Sequence, residues 1–293
     1  MASKTPTRLT PTHPLHRPKP GVLALRTAFQ AFGHVAPGAT ARVAEAVFVR
    51  TARPAPRAEE AAFLARASRF TVRAAGQSIA GYRWGDPTLP PVLFAHGWWS
   101  HAGRFAPLAS ALLDAGFRGV AFDAPGHGRS TGWRASMPEF AAALRAVGDA
   151  EGELHGVVGH SLGGSAAIYA ASHGLATRRI VTIAAPAELM AWAHRYRDMF
   201  SIPSRAFTRM QRNMERRLQL SWEDLDIAAH SASLGVPGLV IHDVDDPDVS
   251  WADARAIATG WDGAELVTTE GLGHRAVLRD PGVIARVVAF LNQ

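Results

Sequence analysis

The 293 residues, 47% of them apolar, are enough for one large domain or two small ones with a sizeable core. There is no cysteine, which excludes disulfides and cysteine chemistry and leaves the redox compartment unreadable. The net charge is +6, and the basic residues are nearly all arginine, with Lys4 and Lys19 the only lysines; the arginines are spread along the chain and no nucleic-acid motif occurs, so no nucleic-acid partner is expected.

The N-terminus lacks the apolar core of a secretory signal, and no stretch approaches the length of a membrane span. A cytoplasmic protein without stable membrane insertion is therefore expected. Residues 1–20 are proline-rich and show no apolar periodicity, and they read as a loosely packed tail. Residues 21–68 read as an N-terminal helical extension: Val22, Leu25, Phe29 and Phe32 recur at near-helical spacing, as do Val43 and Val47. The break Arg53-Pro54-Ala55-Pro56-Arg57 precedes a further helix over Ala58 to Ala67. A basic segment of this kind can lie on a membrane, but helical cladding on a core is the more ordinary reading.

From Phe70 the texture changes. Phe70 to Ala74 and Ser78 to Trp84 predict a hairpin around Gly76. Strands and helices then alternate: strands at Pro91–Ala95, Gly119–Phe122, 156–158, Arg179–Ala184, Gly238–His242 and Ala264–Thr268, with helices at Phe105–Ala115, Met137–Val147, 162–172, Ser250–Thr259 and Arg275–Leu291. Short apolar strands alternating with helices predict βαβ units and a mostly parallel sheet with helices on both faces, an α/β fold over residues 69–293.

Gly159-His160-Ser161-Leu162-Gly163 fits the G-x-S-x-G elbow, in which a serine sits at a strained turn between strand and helix. The residues two before and two after the serine must be small, because the turn brings them together. A serine hydroxyl needs a base, and the base needs an orienting group. In an open α/β sheet such groups collect beyond the carboxyl ends of the strands. Of 13 histidines, His274 stands in such a place, in Glu270-Gly271-Leu272-Gly273-His274-Arg275. His96, at the end of an earlier strand, reads as a structural histidine. For the acid, Asp243, Asp245, Asp246 and Asp248 crowd one loop. The calcium-loop pattern fails there, since the sixth and twelfth positions are Asp248 and Ala254, so no metal is expected. Asp246 is preferred to Asp245 as the triad acid, with Asp245 facing solvent or capping the helix near Ser250. The oxyanion hole is assigned to the backbone N–H groups of Trp98 and Leu162.

These motifs together resemble the α/β-hydrolase family over Phe70 to Gln293. "FAHGWW" resembles its oxyanion loop, "FDAPGHGRS" its turn after the following strand, "GHSLGG" its elbow, "IHDVDDPDVS" its acid loop and "GLGHR" its histidine loop. In the family's acid loop a glycine commonly follows the strand, with the acid three residues on; Asp243 stands at the glycine position, and counting from it gives Asp246. The resemblance implies a small helical cap, here about 187–234. In it Phe207, Met210, Met214 and Leu218 form a helical stripe, with Phe207, Met210 and Met214 expected to line an apolar substrate pocket beside Trp98 and Trp99, and with Arg209, Arg212, Arg216 and Arg217 around it. The expected function is a cofactor-free serine hydrolase acting on small-molecule carboxylic esters with an apolar acyl group, through an acyl-enzyme. The same triad serves thioesters or amides, a peroxidase-like side activity is compatible with it, and a non-catalytic binding protein on this scaffold is the remote alternative. Oligomeric state is not legible.

Overall fold

A computed structural model describes residues 20–293, so the tail expected over 1–20 falls, Pro20 apart, outside the described residues. Three helices come first: α1 (Pro20–Phe32), α2 (Pro37–Phe48) and α3 (Ala58–Ala65). The hairpin follows as β1 (Ser68–Ala74) and β2 (Gln77–Trp84), then β3 (Pro91–Ala95), α4 (Ala106–Asp114), β4 (Arg118–Phe122), α5 (Met137–Glu151), β5 (Gly156–His160), α6 (Leu162–Ser172) and β6 (Ile180–Ile183). Between β6 and the next strand lie α7 (Leu189–Phe200), α8 (Ser204–Leu218) and α9 (Ile227–Ser231). The chain closes with β7 (Gly238–Asp243), α10 (Trp251–Gly260), β8 (Ala264–Thr269), α11 (Gly273–Ala276) and α12 (Pro281–Leu291).

The expected single helix over Arg275–Leu291 is in fact two helices. Pro281 cannot continue a preceding turn, but it suits a first helical position, and the Asp280 side chain caps α12 by accepting from the Val283 N–H.

The strands form one eight-stranded sheet in the order β1-β2-β4-β3-β5-β6-β7-β8. Only β1–β2 and β2–β4 pair antiparallel; the other neighbours run parallel. The two-residue alternation of a strand divides the core. Leu93 and Ala95 face one layer, with Phe140 and Leu144 of α5 and Ile168 of α6. Val92 and Phe94 face the other, with Leu108 and Leu112 of α4 and Val287 and Phe290 of α12. Central strands buried on both faces are why β5 and β6 read as short, largely apolar runs without polar alternation.

A third apolar cluster joins the N-terminal helices to the cap: Phe29, Ala41, Ala44 and Val49 pack with Ala193, Phe200, Phe207, Met210 and Met214. The Tyr196 hydroxyl donates to the Ala44 carbonyl at 2.9 Å, and Arg217 of α8 lies between Glu45 of α2 and Glu139 of α5. Beyond α2 the chain is strapped to the loop after β4. Arg53 donates to the carbonyls of Ser130 and Gly132, and the Thr51 hydroxyl donates to that of Gly126. Further along, buried Glu60 of α3 holds Arg104 and Arg279 at 3.1 Å each. The extension is thus part of the fold rather than an appendage.

Candidate active site

Ser161 stands between β5 and α6 at φ 53°, ψ −127°, a conformation that costs a non-glycine residue on the order of 1–3 kcal/mol. The surroundings over-determine it. Its N–H donates to the Ile183 carbonyl at 2.9 Å, fixing the turn to the end of β6. A Cβ on Gly159 would meet the Gly163 carbonyl oxygen at 2.5 Å, and one on Gly97 would meet the Ser161 Cβ at 2.8 Å. Both close approaches require glycine.

The Ser161 Oγ lies 3.0 Å from His274 Nε2, and His274 Nδ1 lies 2.8 Å from Asp246 Oδ2. These three side chains come from the ends of three different strands. The other Asp246 oxygen accepts the Asp248 and Val249 N–H groups at 2.8 and 2.9 Å. Burial works to raise the Asp246 carboxyl, but the His274 ring and these N–H donors outweigh it and hold the pKa below the usual carboxylate range. Asp246 is therefore ionised at neutral pH, which fixes the Nδ1–H tautomer of His274 and leaves Nε2 free to accept.

Asp245 is exposed, and its Oδ2 accepts the Gly271 N–H at 3.0 Å. It does not cap α10; the Ser250 hydroxyl does, accepting from Ala252. Asp243 is fully buried. Its Oδ1 accepts the Asp245 N–H, and its Oδ2 accepts from the Thr269 hydroxyl and the Leu272 N–H. One carboxylate thus ties the acid loop to the histidine loop, a use that no glycine at that position has. Among the described residues no group of three or more His, Cys, Asp or Glu side chains is placed to hold a metal.

His160, unassigned on sequence, is buried next to Ser161. Its Nε2–H donates to the His274 carbonyl at 2.8 Å, so it holds the backbone of the histidine loop. The signal was available in the elbow motif itself, but the partner lies 114 residues away. His96 braces the loop after β3: Nδ1–H donates to the Gly97 carbonyl at 2.7 Å, and Nε2 accepts the Ala124 N–H at 3.0 Å. His127 accepts the Trp99 N–H at 3.1 Å.

Burial pushes His96, His127 and His160 each down to about 3, so all three are neutral in the fold. Unfolding returns them to about 6.5. Below that pH the unfolded chain binds protons that the folded chain refuses. Stability is then complete above pH ~6.5 and is lost as pH falls from ~6.5 towards ~3, at up to about 1.4 kcal/mol per pH unit for each ring. The thermal midpoint is expected to drop steadily between pH 7 and pH 5, and a flat midpoint over that interval contradicts these assignments.

The Leu162 N–H opens α6 and has no intrahelical partner. The Trp98 N–H has no hydrogen-bond partner among the described residues. The Trp98 ring stacks on Phe140, with centroids 5.9 Å apart.

Beside Ser161 lies an apolar cavity of about 190 Å³. Trp98 and Leu162 line it, and Met214 reaches it from the last turn of α8. Leu189, Trp192, Leu218 and Trp222 complete the cap side, and Phe48 and Val49 of the N-terminal extension close another wall. Three expected pocket residues are absent from the lining. Phe207 and Met210 turn the other way and are buried against the N-terminal helices. A helix with an apolar stripe packs on whatever covers it, and α2 covers this one. Trp99 is 58% exposed, with its indole N–H donating to the Arg50 carbonyl at 3.2 Å. Phe48 and Val49 had no sequence signal, because they reach the pocket from outside the hydrolase motifs.

Comparison with known proteins agrees with this architecture. A zebrafish (Danio rerio) serine hydrolase-like protein is 36% identical over 106 residues, 34% of this chain and 32% of that protein. A bifunctional esterase/perhydrolase DCH of Acinetobacter calcoaceticus is 37% identical over 91 residues, 29% of this chain and 32% of that protein. The chain therefore spans about a third of the length of these relatives. The esterase Pf2001 of Pyrococcus furiosus superposes with a TM-score of 0.66 at 20% identity, covering 83% of this chain and 98% of that one, a likeness of fold. Residues 92–287 match the sequence profile of the alpha/beta hydrolase family, and with most of its sheet inside that match the chain belongs to this family of hydrolases.

Proposed function

We propose that this protein is a serine hydrolase cleaving carboxylic esters with an apolar acyl group through an acyl-enzyme. The observation that carries the reading is the continuous relay Ser161–His274–Asp246, at 3.0 and 2.8 Å, opening into an apolar cavity. His274 Nε2 takes the Ser161 hydroxyl proton as Oγ attacks the ester carbonyl carbon. The carbonyl oxygen becomes an oxyanion, and the N–H groups of Leu162 and Trp98 donate to it. Collapse of the tetrahedral intermediate breaks the bond to the alcohol, which leaves with the proton from His274. Water then repeats the sequence on the acyl-enzyme and returns Ser161. Asp246 stays ionised throughout and stabilises the imidazolium.

Labelling with a fluorophosphonate, followed by peptide mapping, tests the reading. A single adduct on Ser161, with turnover of p-nitrophenyl esters rising from acetate towards longer chains, is the expected result. An adduct elsewhere, or no turnover of any ester in the series, rejects it.

The cavity also sorts the methionines of α8. Met214→Ala is expected to move the preferred acyl length upward, since Met214 borders the cavity. Met210→Ala is expected to leave the ester profile unchanged and to cost about 2–5 kcal/mol of stability, because the side chain is wholly buried between α8 and the N-terminal helices. Ester profiles and thermal melts of both variants check the pair.

A further inference from the structure

The net charge of +6 is not spread as the arginines are. Residues 1–44 hold six basic side chains (Lys4, Arg8, Arg17, Lys19, Arg26 and Arg42) and no acidic one. The remainder balances at 25 of each sign. The positive charge of the molecule is thus that of its N-terminal segment.

The same segment carries unusual apolar exposure. Leu23 is 54%, Phe32 64%, Val35 83% and Val43 49% exposed. Arg42 and Val43 lie side by side on α2 with Ala39 and Ala46, at the i, i+3, i+4, i+7 spacing of one helix face, and all four are exposed. The buried positions Thr40, Ala41 and Ala44 face the other way, towards α8.

Next to α2, helix α8 contributes a second cationic row. Arg209, Arg212 and Arg216 follow the same spacing along its exposed side, and with Gly38 and Arg42 they line a polar depression. Among the described residues no carboxylate lies within 4.0 Å of Arg42, Arg209, Arg212 or Arg216. The residues before Pro20 contain no Asp or Glu to pair with them. Arg217, one residue on, makes the contrast plain: it is paired with Glu45 and Glu139.

We propose that this face, the exposed side of α1 and α2 with the arginine row of α8, docks on an anionic phospholipid bilayer. Exposed apolar side chains set among cations without acids are the signature of an element that lies in a membrane interface. The arginines pair with lipid phosphates, and their planar forks suit phosphate oxygens. Phe32 and Val35, at the turn between α1 and α2, enter the acyl boundary. No helix among the described residues is long and apolar enough to cross a membrane, so the contact is peripheral. A second copy of the chain does not fit, since two such faces repel each other. The proposal stands apart from the assignment of Ser161.

Co-sedimentation of the full-length chain with vesicles of phosphatidylcholine alone, and of phosphatidylcholine mixed with phosphatidylglycerol, tests it. Binding to the mixed vesicles, weakened by salt, is expected, with little binding to phosphatidylcholine alone. The triple variant Arg42→Gln, Arg209→Gln, Arg212→Gln is expected to lose on the order of 100-fold in partition. The double variant Phe32→Ser, Val35→Ser is expected to lose at least tenfold at unchanged charge. Both variants alter exposed side chains outside the cavity, and unchanged melts and ester turnover confirm that they fold. Ser161→Ala is expected to bind as the parent does, so a failed catalytic assignment leaves this result intact. Equal partition onto both vesicle types, or none onto either, overturns the proposal. Saturable binding of inorganic pyrophosphate, abolished in the triple variant and without vesicle binding, overturns it in favour of a soluble phosphate ligand.

Discussion

Ser161→Ala is expected to lower kcat on a p-nitrophenyl ester by about 10⁵–10⁶-fold, the loss found when the nucleophile of a serine triad is removed. Phosphonate labelling is expected to vanish with it. A residual rate above zero is expected, because the proposed oxyanion donors and acyl-binding cavity would still act on water. Stability provides an internal control. The backbone at position 161 keeps φ 53° whatever its side chain, because the Ile183 carbonyl and the packing around Gly159 impose it. Alanine retains the strain of that conformation and is expected to leave the melting temperature close to that of the parent. Glycine tolerates the conformation, and Ser161→Gly is expected to be equally inactive yet more stable than Ser161→Ala, by about 1 kcal/mol. An inactive alanine variant that is also unfolded removes this interpretation, and an active one removes the proposed nucleophile.

The second large effect belongs to the acid loop. Asp246→Asn is expected to lower kcat by about 10³–10⁴-fold. An amide at that position either presents its NH2 group to His274 or accepts without charge, and in both cases the imidazolium loses its counter-ion. Asp245→Asn is expected to cost under about tenfold, since Asp245 accepts only the Gly271 N–H and its amide oxygen still does so. Assayed side by side on one ester at one pH, the two substitutions separate the roles. A reversed ranking moves the acid to Asp245, and two mild effects place it outside this loop.

What the sequence revealed and what it hid divide along the range of the forces involved. The elbow was legible because its requirement is local: small residues flank the serine, since Gly159 and Gly163 touch each other. The sheet was legible because strands buried on both faces are largely apolar, with their few polar residues mostly at the strand ends. The acid loop was partly legible. Alternation along an extended chain separates Asp245 from Asp246, and the geometry brings Asp246 to His274 while turning Asp245 to Gly271. The tie from Asp243 to Thr269 and Leu272 was not foreseeable, because it joins loops 26 and 29 residues apart. The stripe on α8 was correctly apolar but pointed at the wrong neighbour. Periodicity tells which face of a helix is buried, not what buries it, and here most of that face lies under α2 rather than over the cavity.

Phe48 and Val49 give the N-terminal extension an importance beyond cladding. They form part of the cavity wall, yet they lie before residue 92, where the match to the family begins. On the proposed function, the residues that break the bond and part of the surface that would choose the acyl group therefore belong to different stretches of chain. The first is held by the sheet and its loops. The second is held by a strap of side-chain bonds from Thr51 and Arg53. Selectivity in such an arrangement is modular: a change in the extension can retune which molecules enter without touching the atoms that react. A graft of this extension onto another hydrolase of the same fold would carry a portion of the preference with it, and exchanging residues 20–57 between two such proteins would redistribute their substrates while leaving the chemistry in place.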